Sequence, residues 1–156
     1  MDKHYLTPLF QPESIAVFAG NHEDPDSQIA HARTLCAALT GQRFSGTLVF
    51  LDIHTSGTLA DLAQTRADLA IIALPPAEAL AALEVAGRIK CKAALVVGSG
   101  ANAEIAGEMH QVARRHGMHL LGPNSLGFPR PRSGLNASVA GPLAAVGPLA
   151  FWPLRG

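Results

Sequence analysis

The chain has 156 residues, 48% hydrophobic, 15% charged and 5% aromatic, and its twelve Lys and Arg balance its twelve Asp and Glu. This length fits one domain, and apolar content carried by Ala, Leu, Val and Ile points to helices close-packed on a sheet, not to an aromatic-rich β-sandwich or a disordered chain. No basic tract is long enough to follow a phosphate backbone, no apolar run approaches a membrane span, and the opening MDKHYLTPLFQPES lacks the apolar core of a secretory signal, so neither nucleic acid nor membrane is the expected partner and the expected location is cytoplasmic.

Residues 1–13 read as an irregular lead-in, since Thr7-Pro8 and Gln11-Pro12 interrupt any helix. Ser14–Ala19 (SIAVFA) is a continuous apolar run of strand length, suited to burial on both faces. After Gly20-Asn21, Asp26 or Ser27 can cap a helix whose face is Ile29, Ala32, Cys36 and Leu39, with Gly41 closing it in the left-handed conformation. Thr47–Asp52 is a second strand. Thr58 and Asp61 resemble a capping box for a short helix over 58–65. Asp68–Leu74 is a third strand, and Pro75-Pro76 ends it and opens a helix reaching Lys90, with Leu80, Leu83 and Ala86 packing inward.

Lys92–Gly98 is a fourth strand. Asn102 caps the next helix, Ile105, Met109, Val112 and Ala113 form its apolar stripe, and Arg114, Arg115 and His116 suit its negative end before Gly117 stops it. Met118–Leu121 is a short fifth strand followed by the turn Gly122-Pro123-Asn124, Pro129–Gly134 reads as a loop, and Gly147–Trp152 looks like a last strand. Cys36 and Cys91 share no short spacing and read as reduced, buried small hydrophobes. The alternation of buried strands with helices predicts an α/β fold: a Rossmann-like, doubly wound, mainly parallel sheet of about five to six strands, with helices on both faces.

A parallel sheet gathers its strand-end loops on one edge, where helix N-termini favour an anionic ligand, most simply a nucleotide pyrophosphate. The residues themselves give mixed signals. The first loop, Gly20-Asn21-His22-Glu23-Asp24-Pro25, lacks the dinucleotide fingerprint and is acidic. Its acids either repel a phosphate or simply cap a helix facing water. Asp52 sits where an acid would meet a ribose in an NAD site, and equally where an acid ends a strand beside a turn. His110, His116 and His119 do not share a face with a fourth ligand, and no serine lies in a G-x-S-x-G elbow, so no metal and no catalytic residue is nominated.

Five stretches carry a resemblance. LTPLFQPESIAVFAG at 6–20, ADLAIIALPP at 67–76, KAALVVGSG at 92–100, ARRHGMHLLGPNSLGF at 113–128 and GLNAS at 134–138 together resemble the CoA-binding domain of NDP-forming acyl-CoA synthetases. Those are relatives of the succinyl-CoA synthetase α chain and include fused protein acetyltransferases. The resemblance covers roughly 6–150 in order, and divides the chain into a lead-in (1–13), the Rossmann-like domain (14–152) and a tail at a domain boundary (153–156).

The resemblance implies a domain that holds CoA or an acyl-CoA, acetyl-CoA foremost, and supplies binding rather than catalysis. By position, Gly20, Asn21 and His22 match the loop that approaches the phosphates. Pro75 and Pro76 match the third-strand turn, Gly98, Ser99 and Gly100 the fourth, and Pro123 and Asn124 the turn near the thiol end. Further synthetase or acetyltransferase domains, in cis or in trans, are the implied partners, and a homo-oligomer is possible. The family's phosphate-carrying histidine lies in a following domain and has no counterpart here.

Three departures qualify this. The acidic NHEDPD replaces a small turn after the first strand. LDIHTSGTLADLAQTR is shorter than the family's connection and lacks its Val-Asn-Pro turn. The chain ends at Trp152-Pro153-Leu154-Arg155-Gly156 instead of a Ser-Gln-Ser-Gly turn, as a fragment or a shortened relative would. Two other readings remain at this point: a degenerate regulatory or assembly module that no longer binds CoA, and an NAD-binding oxidoreductase domain supported by Asp52 alone.

Overall fold

A computed structural model describes residues 4–20, 29–41, 43–53 and 65–147. Five parallel strands form the main sheet: β1 (Ser14–Phe18), β2 (Thr47–Phe50), β3 (Leu69–Ile72), β4 (Ala93–Val97) and β5 (His119–Ser125), in the order β2-β1-β3-β4-β5. The chain moves outward from β1 to β2, then returns to the other side of β1 as β3. That reversal opens a crevice between the carboxyl ends of β1 and β3.

The middle strands are buried on both faces, and alternate residues separate into two cores. Ala16, Phe18, Ala70, Ile72, Ala94 and Val96 pack beneath α3 (Pro76–Arg88) and α4 (Ala103–Arg115), with Leu83, Ala86, Met109 and Val112 closing that side. Ile15, Val17, Leu69, Ile71 and Leu95 face the other way, onto Leu35 and Leu39 of α2 (Ala30–Thr40) and Leu9 of α1 (Thr7–Phe10). The doubly wound α/β reading therefore holds, with helices on both faces.

Several local expectations change. The lead-in contains one helical turn, α1, with Pro8 in its first positions, where a missing N–H costs nothing. Gly41 ends α2 in the right-handed region (φ −72°, ψ −9°) and not the left-handed one, with its N–H still bonded to the Ala37 carbonyl. Cys36 is half-buried, unlike the buried Cys91.

The stretch after β5 is a hairpin rather than a plain loop. β6 (Gly127–Arg130) pairs antiparallel with β7 (Leu135–Ser138) around a 3-10 turn at Pro131–Ser133. Phe128, Leu135 and Ala137 join the α2-side core, so the hairpin is held by burial. Gly147 and Thr65 lie outside any strand or helix, and the rest of the expected last strand, the rest of the helix expected over 58–65 and the Asp26 or Ser27 cap lie outside the described residues.

Candidate functional site at the carboxyl edge of the sheet

β5 is longer than the sequence pattern indicates, because it bulges. Leu95 pairs with Leu121 and Val97 with Ser125, so four residues of β5 span two of β4. The ladder resumes where the Gly98 N–H bonds the Ser125 carbonyl at 3.0 Å. Gly122-Pro123-Asn124, three residues opposite the single Val96, are pushed off the ladder, and the Gly122–Pro123 peptide is cis. Asn124 takes a left-handed backbone (φ 58°), which asparagine tolerates better than most residues.

This bulge brings Asn124 to the loop after β4. Its Nδ2 donates to the Ala101 carbonyl at 2.9 Å, and its Oδ1 accepts from the Ala101 N–H at 3.2 Å. Next to it, Asn102 caps α4, its Oδ1 accepting from the Ile105 N–H at 2.9 Å. The expected cap is therefore present. Asn124, placed near a ligand's thiol end by sequence, acts on the backbone of the neighbouring loop.

The glycines of that loop leave room. Gly98 (φ 125°) and Gly100 (φ 97°) adopt conformations that side chains rarely take. A Cβ on Gly98 would find no protein atom within 4 Å, and one on Gly100 would meet only Cγ of Pro76, at 4.0 Å. Packing therefore does not demand small residues here. The backbone conformation does, and the space above stays open for a ligand to approach the main chain.

The structure thus gathers Pro76, Gly98, Ser99, Gly100 and Asn124, with Pro75 as the N-cap of α3 and Pro123 in the bulge. Gly20 (φ 74°) follows β1, which pairs with β3, at the same edge. Asn21 and His22 lie outside the described residues. Sequence reasoning missed Ala101, which takes part through its backbone and carries no chemical signal of its own, and Ser125, whose carbonyl bonds the Gly98 N–H while its Oγ accepts from the Gly127 N–H at 3.1 Å.

Main-chain dipoles contribute to the electrostatics of this edge, beside the carboxylates Glu78 and Glu104 in the first turns of α3 and α4. α3 has no side-chain cap, so its N-terminal end is turned toward the site without a competing oxygen at the cap.

Two other concavities lie elsewhere. One, about 420 Å³, runs between α3 and α4 on their outer surface. The other, about 350 Å³, sits at the amino edge of the sheet among Tyr5, Asp68, Lys92 and His119. No helix among the described residues is long and apolar enough to cross a membrane.

Comparison with known proteins agrees with this geometry. Acetate–CoA ligase (ADP-forming) I of Archaeoglobus fulgidus is 33% identical over 90 residues, which are 54% of this chain and 13% of that protein. The apo form of dinucleotide forming acetyl-coenzyme A synthetase 1 from Ca. Korarchaeum cryptofilum superimposes with a TM-score of 0.72 at 26% identity. The same enzyme in complex with phosphate and ADP gives 0.74, over 87% of this chain and 31% of that one. The chain therefore spans less than a third of the relatives it matches. The family model for the CoA binding domain matches residues 50–131, which is 82 of 156 residues and covers β3, β4, β5 and the bulge. The chain belongs to the CoA-binding domain family.

Proposed function

We propose that this chain binds CoA or acetyl-CoA across the carboxyl edge of the sheet, as the binding domain of an ADP-forming acyl-CoA synthetase or a fused acetyltransferase. The observation that carries the reading is the Asn124 clasp on Ala101, which holds the open Gly98–Gly100 floor in place beside Pro76. In this reading Gly20, Asn21 and His22 approach the phosphates, Pro75 and Pro76 wall the crevice, Gly98, Ser99 and Gly100 form the floor, and Pro123 and Asn124 lie toward the thiol. Binding and positioning belong to this chain. The chemistry belongs to further domains, in keeping with relatives of which this chain covers 31% and 13%. A cytoplasmic site of action follows from the ligand, since CoA thioesters are made and used inside cells.

One observation favours a second reading. Glu23, Asp24 and Asp26 follow Gly20 in the sequence, and Glu78 and Glu104 occupy the first turns of α3 and α4 at the same edge. A domain that had lost CoA and become a regulatory or assembly module would tolerate such acids. Titration calorimetry with CoA, acetyl-CoA and NAD separates the readings. Saturable CoA or acetyl-CoA binding supports the first. Silence toward all three supports the second, and NAD binding alone removes both.

A further inference from the structure

The outward face of α3 and α4 carries charge sorted along its length. Both helices run from the carboxyl edge of the sheet to the amino edge, so like ends lie side by side. Glu104 and Glu108 stand exposed near one end, and Arg88, Lys90, Arg114 and Arg115 near the other. Arg115 pairs with Glu84, whereas Arg88, Lys90, Arg114, Glu104 and Glu108 make no ion pair among the described residues. Between the two ends lies the groove of about 420 Å³, floored by Ala77, Leu80, Ala81 and Val112.

Helix dipoles account for an acid in a first turn and a base in a last turn. They do not account for Glu108 in the second turn of α4, nor for Lys90 beyond the end of α3. The crowding of cations is felt locally. His116 is held below its ordinary pKa first by burial and then by Arg115, Lys90 and Arg88.

A two-fold axis through the groove, perpendicular to the helices, would set the basic end of one copy on the acidic end of another and lay the apolar floor on itself. Isologous two-fold pairing of this kind is the commonest closed assembly. We propose that the α3–α4 face is a docking surface for a second copy of this chain, packed antiparallel. A 13-residue helix is about 20 Å long, so two side by side offer about 20 by 20 Å. That is smaller than the ~800 Å² per partner of a standard interface, so the dimer is weak and depends on salt. The carboxyl edge stays open in it, so the pairing does not rest on the CoA reading.

Sedimentation velocity of the whole chain tests this, using the wild type and two charge-reversed forms, Arg88→Glu with Arg114→Glu, and Glu104→Lys with Glu108→Lys. At low ionic strength the wild-type mass should rise from 16.3 kDa toward twice that value with concentration, and fall back in about 1 M salt, where screening acts over about 3 Å. Each reversed form alone should stay monomeric, and their equimolar mixture should associate. A wild type that stays monomeric up to about 1 mM at low salt would overturn the proposal, given that such a concentration detects binding of only about 4 kcal/mol. So would association that survives both reversals, or a mixture that remains monomeric.

Discussion

The carboxamide of Asn124 bonds both backbone polar groups of Ala101, donating to its carbonyl at 2.9 Å and accepting from its N–H at 3.2 Å. The two residues are 23 apart in sequence and meet only because β5 bulges where β4 does not. Asn124 is therefore a positioning residue for the loop at Gly98–Ala101. Asn124→Ala should leave the chain folded, at a cost of about 1–2 kcal/mol from two modest hydrogen bonds and a left-handed backbone. CoA affinity should fall about tenfold as the loop loosens, read by calorimetry beside a denaturant curve. Asn124→Gly keeps the backbone conformation and removes the clasp, so it should weaken binding just as much. Wild-type affinity in the glycine variant would show that the clasp does not matter.

His116 Nε2 lies 2.8 Å from Glu84 Oε2 and joins the end of α4 to α3. Burial and the cations Arg115, Lys90 and Arg88 lower its pKa from 6.5, so the neutral ring donates to Glu84. The unfolded chain then takes up this proton at a higher pH than the folded one. Stability from this site is complete above about pH 6.5 and is lost as the pH falls through the lowered folded value. Denaturant midpoints for wild type and His116→Gln should diverge in slope below that pH, with the variant flatter. Parallel curves would mean that His116 does not carry the dependence.

Gly87 in the last turns of α3 faces the imidazole of His116 so closely that a Cβ would enter the ring. Gly87→Ala gains about 1 kcal/mol of helix propensity and incurs about 1–3 kcal/mol of overpacking. The net effect should be a loss of stability. In a His116→Ala background the same change should become neutral or stabilising, because the obstacle is gone. A double-mutant cycle by chemical denaturation reads the sign, and additive effects would contradict the contact.

Leu135 is fully buried beneath the hairpin, in the core shared with α2. Leu135→Ala should cost about 2–5 kcal/mol, as for other large-to-small changes in cores. That is a large share of the ~5–15 kcal/mol that holds a domain of this kind together. A loss under about 0.5 kcal/mol in thermal or denaturant unfolding would show that the hairpin is a surface appendage.

These particular residues show what the sequence made legible. IAVF, LAII and AALVV are apolar throughout because both faces of the middle strands are covered, and such runs read directly as buried strands. Asn102 and Gly117 mark α4 because capping is local chemistry. The hairpin was hidden because β6 and β7 have four residues each, with Pro129 inside β6. Its pairing is set by packing on α2, which no local pattern encodes. The bulge was hidden likewise, since it depends on the register between β4 and β5. The candidate residues Pro76, Gly100 and Asn124 were legible as turn formers at strand ends. That Asn124 works through Ala101 was not, because a backbone partner leaves no mark in the sequence.

The central claim is that CoA lies on the carboxyl edge, over the glycine floor that Asn124 holds. Backbone amide NMR of the 156-residue chain, titrated with CoA, tests this most directly. The account predicts saturable shifts at Gly20, Gly98, Ser99, Gly100, Ala101 and Asn124, and quiet resonances at Lys92 and His119 on the opposite edge. Shifts confined to the amino edge, or a spectrum unchanged by CoA and acetyl-CoA, would contradict it.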